Sequence, residues 1–192
     1  MAVGIITSIQ LNAQRVELTP FIGYQTGAKI YTGYEYLRVS DGMDYGGSLN
    51  VNLGGGRYGE FSYSHMASTL SYDGYSEDIC DLAVDYYSLG ALQEMMPDAK
   101  TTPYGMFTLG VVNYRPTSGG YESENKMHVS LAGGIKIRAS ERIGIRLQAR
   151  LLMPIWYGGA YWSVGGSGGG FSVGGGIHGV QGDFTGALFF VL

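Results

Sequence analysis

The feature that most constrains this chain is a long two-residue alternation between Met127 and Met153. Aliphatic residues take every second position on both sides of a short polar segment, Ala139 to Arg142. Because successive side chains of a β-strand point to opposite faces, the pattern predicts two antiparallel strands joined by a tight turn. It does not say which face is interior. A soluble fold buries the aliphatic face, whereas a membrane barrel turns it to lipid.

Composition narrows the class of protein. The 192 residues are enough for one domain, only 15% of them are charged, and 33 are glycine and 16 tyrosine. This profile argues against an α/β enzyme, and a net charge of -4 argues against nucleic acid as a partner. Cys80 is the only cysteine, so an intrachain disulfide or a cysteine-based zinc site is excluded. No apolar run reaches the roughly 18 residues of a membrane-spanning helix.

Two-residue alternation recurs in eight segments of the chain. They are residues 15–25, 44–53, 59–64, 81–93, 103–114, 127–138, 143–153 and 183–192. The connections after the second, fourth and sixth segments are short, whereas residues 26–43, 67–80, 115–126 and 157–182 form long ones. Short turns at one end and long loops at the other are typical of an up-and-down barrel that crosses an outer membrane. We therefore predict an all-β, eight-stranded antiparallel up-and-down transmembrane β-barrel whose first and last strands pair.

Two segments carry a family resemblance: Leu18 to Tyr24 opens the first strand, and Phe184 to Leu192 ends the chain with apolar residues at alternate positions. Together with the alternation of short and long connections, these segments make the chain resemble the eight-stranded outer-membrane β-barrels of Gram-negative bacteria, the OmpA, OmpX and OmpW-like group. The resemblance covers about residues 15–192. It implies a cell-envelope protein in contact with outer-membrane lipid, whose last strand is read by the barrel-assembly machinery. The chain ends in Leu192 where that family usually has Phe.

The N-terminus predicts export. Residues 1–13 have a short apolar stretch and a small residue, Ala13, where cleavage is expected, as in a signal peptide. No Lys or Arg precedes the apolar stretch, which suggests a true start codon further upstream. We expect residues 14–192 to form the barrel domain.

Charge placement supports an outward aliphatic face, because a lipid-facing Arg or Lys at mid-membrane costs about 2 to 4 kcal/mol. The strand charges that fall on the opposite face are Glu17, Asp44, Glu60, Asp85, Lys136, Arg146 and Arg150. We predict lumen positions for Glu17, Glu60, Asp85, Lys136, Arg146 and Arg150. Side chains fill the bore of an eight-stranded barrel, so these groups should pair and plug it. Arg146 and Arg150 in particular need partners, and Glu17, Glu60 or Asp85 can supply them.

Aromatic residues suggest two membrane interfaces. Tyr24, Tyr114, Trp156 and Tyr157 lie beside long connections, and Tyr58 and Tyr104 beside short turns.

Specific recognition is expected in the long connections, since a rigid scaffold leaves binding to its loops. In the first long connection the candidates are Tyr31, Tyr34 and Tyr36, which could form an adhesive or glycan-stacking surface or a strand extension. In the second, acidic connection the candidates are Asp73 and Tyr75. That acidic connection lacks the carboxylate spacing of an EF-hand, and we expect neither metal nor cofactor. The fourth connection, with twelve glycines between Gly158 and Gly182, predicts a mobile linker or flexible loop.

Two residue sets are candidates for catalysis: His128 with Ser130, and His65 with Ser64 or Ser68. Neither has an acid nearby in sequence to orient the histidine. We therefore favour a non-enzymatic structural or surface-interaction protein, which also contacts a surface ligand or envelope protein. Three alternatives stay open: a lipid A-modifying enzyme of the deacylase kind, a narrow small-solute channel with a charged constriction, and a soluble lipocalin-like carrier. The carrier would place Ile143, Leu147 and Leu151 inside.

Overall fold

The computed structural model is a closed antiparallel β-barrel. It describes residues 15–31, 36–72, 78–165, 168–177 and 179–192, with side chains for 15–29, 37–72, 78–155 and 179–192. The strands are β1 Val16–Gln25, β2 Ala28–Tyr31, β3 Tyr36–Val39, β4 Gly42–Gly54, β5 Arg57–Tyr72, β6 Asp78–Glu94, β7 Thr101–Pro116, β8 Glu124–Arg138, β9 Ile143–Gly165, β10 Gly168–Ile177 and β11 Gln181–Val191. Among the described residues, no helix is long and apolar enough to cross a membrane.

Eight of these strands form the wall, in the order β1, β4, β5, β6, β7, β8, β9 and β11. Every neighbouring pair is antiparallel, and β11 pairs with β1, from Glu17 opposite Val191 to Gln25 opposite Asp183. This pairing closes the sheet and leaves the wall without a free edge, which satisfies the backbone groups of all eight strands. Both ends of the described chain lie at the end of the barrel that carries the short turns, where the Leu192 amide donates to the Val16 carbonyl at 2.9 Å.

The predicted eight-stranded architecture is confirmed, but the strands are longer than predicted. The predicted third segment ended at Ser64, whereas β5 continues to Tyr72 beside β6. The first long connection contains the β2–β3 hairpin, and β3 pairs with β5. The glycine-rich fourth connection, predicted to be a mobile linker or flexible loop, contains a hairpin of β9 and β10, paired from Gly165 opposite Gly168 to Ile155 opposite Ile177. Because these connections continue as paired strands, their backbone N–H and C=O groups can hydrogen-bond to each other.

The β4–β5 turn shows why glycine is needed at the short-turn end. Gly54, Gly55 and Gly56 have φ angles of +87°, +63° and +74°. Side chains disfavour this left-handed region, whereas glycine enters it freely. Three consecutive glycines therefore allow two long strands to reverse direction within a few residues.

The aliphatic face of the 127–153 hairpin lies on the outside of the barrel. Ile145, Leu147 and Leu151 are 43%, 47% and 50% exposed, and the other strands present similar residues there. The lipocalin-like alternative, which placed Ile143, Leu147 and Leu151 inside, is therefore wrong. The opposite face of the hairpin holds Lys136, Arg146 and Arg150, all buried. The barrel is apolar outside and charged within, which is the polarity of a membrane barrel.

Strand β6 reverses the faces that the sequence predicts. In the segment 81–93, Leu82, Val84, Tyr86 and Leu92 alternate with more polar residues, so an outward aliphatic face would place them outside, but all four are buried in the interior. Val84 and Tyr86 pack there with Met66, Val112 and Leu152 in an apolar cluster towards the long-connection end. Because this part of the bore is filled by apolar side chains, aliphatic character does not mark the outward face in β6.

The predicted aromatic girdles are only partly present. Tyr24 is exposed beside the first long connection. Tyr58, Tyr104 and Tyr114 instead point inward and are buried, so their assignment to the membrane interfaces was wrong. Their rings fill the bore against charged and apolar side chains, a role that strand-end position alone does not distinguish. The side chains of Trp156 and Tyr157 lie outside the described set.

The outward aliphatic belt generates a direct prediction. Replacing Leu147 with Arg places a guanidinium on the outer face, at a cost of about 2 to 4 kcal/mol if that face contacts lipid. We expect Leu147→Arg to fold poorly into lipid vesicles, measured by the gel shift between unheated and boiled samples. Glu141→Arg, in the exposed β8–β9 turn, is the control and should fold like the wild type. Equal folding of both variants would contradict a lipid-facing belt.

Candidate functional site in the barrel interior

Buried charges inside the barrel are arranged in three layers between the short-turn end and the apolar cluster. The first layer, nearest the short turns, centres on the ammonium of Lys136, which is fully buried. Lys136 Nζ lies 2.6 Å from Glu17 Oε2 and 3.1 Å from Glu94 Oε1, and it lies 4.2 Å from the centroid of the Tyr58 ring. Arg138 contacts the other oxygen of Glu94 at 2.8 Å. Two cations and two carboxylates therefore neutralise each other in this layer.

The second layer centres on Arg146, also buried. Its Nη1 donates to Glu60 Oε2 at 2.7 Å, its Nε donates to the Tyr104 hydroxyl at 2.8 Å, and its Nη2 donates to Gln148 Oε1 at 2.5 Å. Asn50 donates to the same Glu60 oxygen at 3.0 Å. All three nitrogens of the guanidinium have oxygen partners, so this buried cation is well satisfied.

The third layer centres on Arg150. Its Nε and Nη2 donate to Asp183 Oδ2 at 2.7 and 2.6 Å, and Nη2 also reaches Ser64 Oγ at 3.4 Å. Asp44 is fully buried and lies within electrostatic range of both Asp183 and Arg150. This layer therefore has two carboxylates for one guanidinium, unlike the two layers below it.

The structure brings most of the predicted lumen residues together, with a different set of partners. Arg146 pairs with Glu60, one of the partners we expected. Arg150 pairs with Asp183, which was not among the candidates, and Glu17 pairs with Lys136. Asp183 lies on the non-aliphatic face of the last segment, so the alternation contained that signal. Sequence reasoning also missed Glu94, because the fourth segment was predicted to end one residue before it.

The lumen prediction for Asp85 is wrong. Asp85 lies on the outer face of β6, between the inward-pointing Val84 and Tyr86, and pairs in register with His65 and Asn113. Its carboxylate accepts from the Tyr63 hydroxyl at 2.9 Å, contacts His65 Nδ1 at 2.7 Å and lies 3.4 Å from Arg115 Nη2. These neighbours cover the carboxylate, which is why it is buried although it faces outward.

Neither catalytic candidate set forms a triad in the described residues. His128 and Ser130 are buried inside the barrel, where His128 Nε2 contacts Ser88 Oγ at 3.0 Å and Ser130 Oγ contacts Thr108 Oγ1 at 2.6 Å.

His65 faces outward with Asp85, whereas Ser64 and Ser68 lie on the opposite face of β5. The Ser68 hydroxyl donates to the Ser40 carbonyl at 2.6 Å. His65 therefore has an acid, as a catalytic pair requires, but its predicted serine partners are on the wrong side of the sheet.

Only part of the candidate loop surface is described. Tyr31 and Tyr36 are backbone register partners at the end of β2 and the start of β3. Their side chains, and Tyr34, Asp73 and Tyr75 altogether, lie outside the described set. Among the residues that the structure describes, no group of three or more His, Cys, Asp or Glu side chains could hold a metal ion.

Comparison with known proteins identifies the fold. No family model matches the sequence, and no curated protein matches it. Neisserial surface protein A has a TM-score of 0.63 at 10% identity, over 92% of this chain and 97% of that chain. The outer membrane protein OprG of Pseudomonas aeruginosa has a TM-score of 0.62 at 9% identity, over 93% and 92%. Ail of Yersinia pestis, the attachment invasion locus protein, in complex with the heparin analogue sucrose octasulfate, has a TM-score of 0.51 at 14% identity, over 92% and 99%.

These similarities establish the fold class. The chain has the eight-stranded fold of outer-membrane β-barrels, which confirms the architecture that the resemblance implied. Its outward aliphatic surface agrees with that class.

The paired charges generate a second prediction. Glu60→Ala leaves the buried Arg146 without its carboxylate and should cost about 3 to 5 kcal/mol of stability. The combined change Glu60→Leu with Arg146→Met should recover most of that loss, because no buried charge then lacks a partner. Urea unfolding of the vesicle-folded barrel, followed by tryptophan fluorescence, measures both.

Asp85→Ala is the matched control for Glu60→Ala. It also removes a buried carboxylate, but from the outer face, where the partly exposed His65 and Arg115 can be hydrated. The loss should be less than that of Glu60→Ala. An equal or larger loss would contradict the different environments assigned to the two carboxylates.

Proposed function

We propose that this protein is an integral outer-membrane barrel with a closed lumen, and that it acts through its long connections as a surface-interaction protein. The observation that carries the proposal is the stacking of three ion-paired layers below an apolar cluster. Together they fill the interior with side chains from all eight wall strands. A protein filled in this way offers its outer ends, rather than its bore, for interaction with other molecules.

The layers support a closed lumen because the cation at the centre of each layer is buried and paired with a carboxylate. Lys136, Arg146 and Arg150 are 0%, 4% and 3% exposed, and each contacts a carboxylate within 2.7 Å. A hydrated pore would expose such groups to water. The apolar cluster of Met66, Val84 and Leu152 adds a fourth obstruction towards the long-connection end.

The surface role rests on the long connections and on the kind of proteins that share the fold. The β2–β3 hairpin and the β9–β10 hairpin extend this end of the barrel with paired backbone. Tyr31, Tyr34 and Tyr36 are grouped within the first of these connections. Ail, which shares the fold, is by name an attachment protein and was solved with a sulfated sugar. We propose that the tyrosine group binds sugar by stacking, since aromatic faces suit such contacts.

Planar bilayers test the closed lumen. The wild-type barrel should show no unitary conductance steps, whereas an open porin in the same bilayer provides the positive control. The variant Glu60→Ala with Arg146→Ala should also stay closed, because two charged layers and the apolar cluster remain. Steps in the wild type would contradict the closed lumen, and steps in the variant alone would show that the second layer is a single gate.

A glycan array tests the tyrosine surface. Cells that display the wild-type barrel are incubated with immobilised neutral and sulfated oligosaccharides, including sucrose octasulfate. We expect Tyr31→Ala, Tyr34→Ala and Tyr36→Ala together to weaken binding about tenfold, equivalent to about 1.4 kcal/mol. Tyr121→Ala removes an exposed tyrosine from a different connection and should bind like the wild type. Unchanged binding in the triple variant would contradict this surface.

A further inference from the structure

We propose that the third layer binds a hard monovalent cation, such as Na⁺, between Asp44, Asp183 and Gln25. The site spans three neighbouring strands, because Asp44 is on β4, Gln25 on β1 and Asp183 on β11. It is distinct from the two lower layers, in which the charges of the described residues balance.

The backbone register brings these side chains together. Gln25 is opposite Asp183 across the β1–β11 pair, and Gly23 is opposite both Asp44 and Thr185 in the adjacent row. A Cβ atom added at Gly23 would lie 2.7 Å from Asp44 Oδ1 and 2.6 Å from Thr185 Cγ2. The missing side chain at Gly23 therefore makes room for the Asp44 carboxylate to lie across β1 towards β11.

The oxygen atoms at this point lack protein partners. Among the described residues, both oxygens of Asp44, Oδ1 of Asp183 and both amide atoms of Gln25 make no hydrogen bond to another residue. All three residues are 0% exposed. Buried polar atoms are rarely left in this state, and a concentration of them in one place indicates an additional ligand. The unpartnered Gln25 amide is an observation independent of the two acids.

Charge and donor type select the ligand. When Asp44 and Asp183 are both ionised, they carry two negative charges against the one positive charge of Arg150, and a bound monovalent cation neutralises the remaining charge of -1. Asp44 Oδ1 and Oδ2, Asp183 Oδ1 and Gln25 Oε1 are four free oxygen ligands. Carboxylate and amide oxygens are ligands of hard cations. A monovalent cation balances the layer, whereas Ca²⁺ would leave an excess positive charge beside Arg150.

The position of the site gives the cation a structural role. The β1–β11 pair closes the barrel, and Gln25 and Asp183 lie at its end nearest the long connections. An ion held by residues of β4, β1 and β11 joins the two sides of this seam. Because a ligand that binds only the folded state stabilises it, the closed barrel should depend on the cation.

The experiment compares thermal stability in different salts. The full chain is refolded in detergent in NaCl, in choline chloride of equal ionic strength, or in choline chloride with CaCl₂, and the unfolding midpoint is measured by circular dichroism. The wild type should unfold about 5 °C or more higher in NaCl than in choline chloride. Asp44→Asn, which removes one charge without changing shape, should lose this difference.

Two further variants keep the test decisive. Ser62→Ala also alters a buried side chain with an unpartnered atom, but outside the site, and should retain the sodium-dependent shift. Gln25→Leu should reduce the shift, and it replaces Asp44→Asn if that variant fails to fold. Equal wild-type midpoints in all three salts, or a full shift in Asp44→Asn, would overturn the site. A larger rise with Ca²⁺ than with Na⁺ would overturn the monovalent assignment.

Discussion

The structure depends on the pairing of charged side chains that are buried in the interior of the barrel. An eight-stranded barrel is narrow enough for inward side chains to meet, so every buried cation must find a carboxylate across the lumen. Lys136 on β8 reaches Glu17 on β1, and Arg146 on β9 reaches Glu60 on β5. These contacts link strands that are distant in the wall and fix its shape from within.

The same constraint explains the outward Asp85. The interior beside it is occupied by Val84 and Tyr86, so the carboxylate is satisfied on the outer face by Tyr63, His65 and Arg115. The donors around Asp85 satisfy its carboxylate, which would be costly to bury without hydrogen-bond partners.

The local sequence pattern predicted much of the fold, because the interior and the outer surface of the barrel each select the residue type at alternate positions of a strand. The 127–153 hairpin, the eight wall strands and the inward Lys136, Arg146 and Arg150 all follow from one rule, that aliphatic side chains face outward. The rule failed at β6, where an apolar interior reverses the faces. It could not anticipate the extended strands either, since glycine-rich segments such as 158–176 have no clear alternation but can still pair their backbone.

The sequence by itself determined the number of wall strands, their direction and the polarity of most faces, because these depend on periodicity along the chain. Only the tertiary structure decided which charges meet. Arg150 selects Asp183 rather than Glu17, Glu60 or Asp85, since the antiparallel register of β9 and β11 places these two residues directly opposite each other. It also decided that Asp44 and Gln25 share one buried layer with Asp183. Ion partners are set by register and closure, which join residues 33 to 119 positions apart, and alternation within a strand carries no record of them.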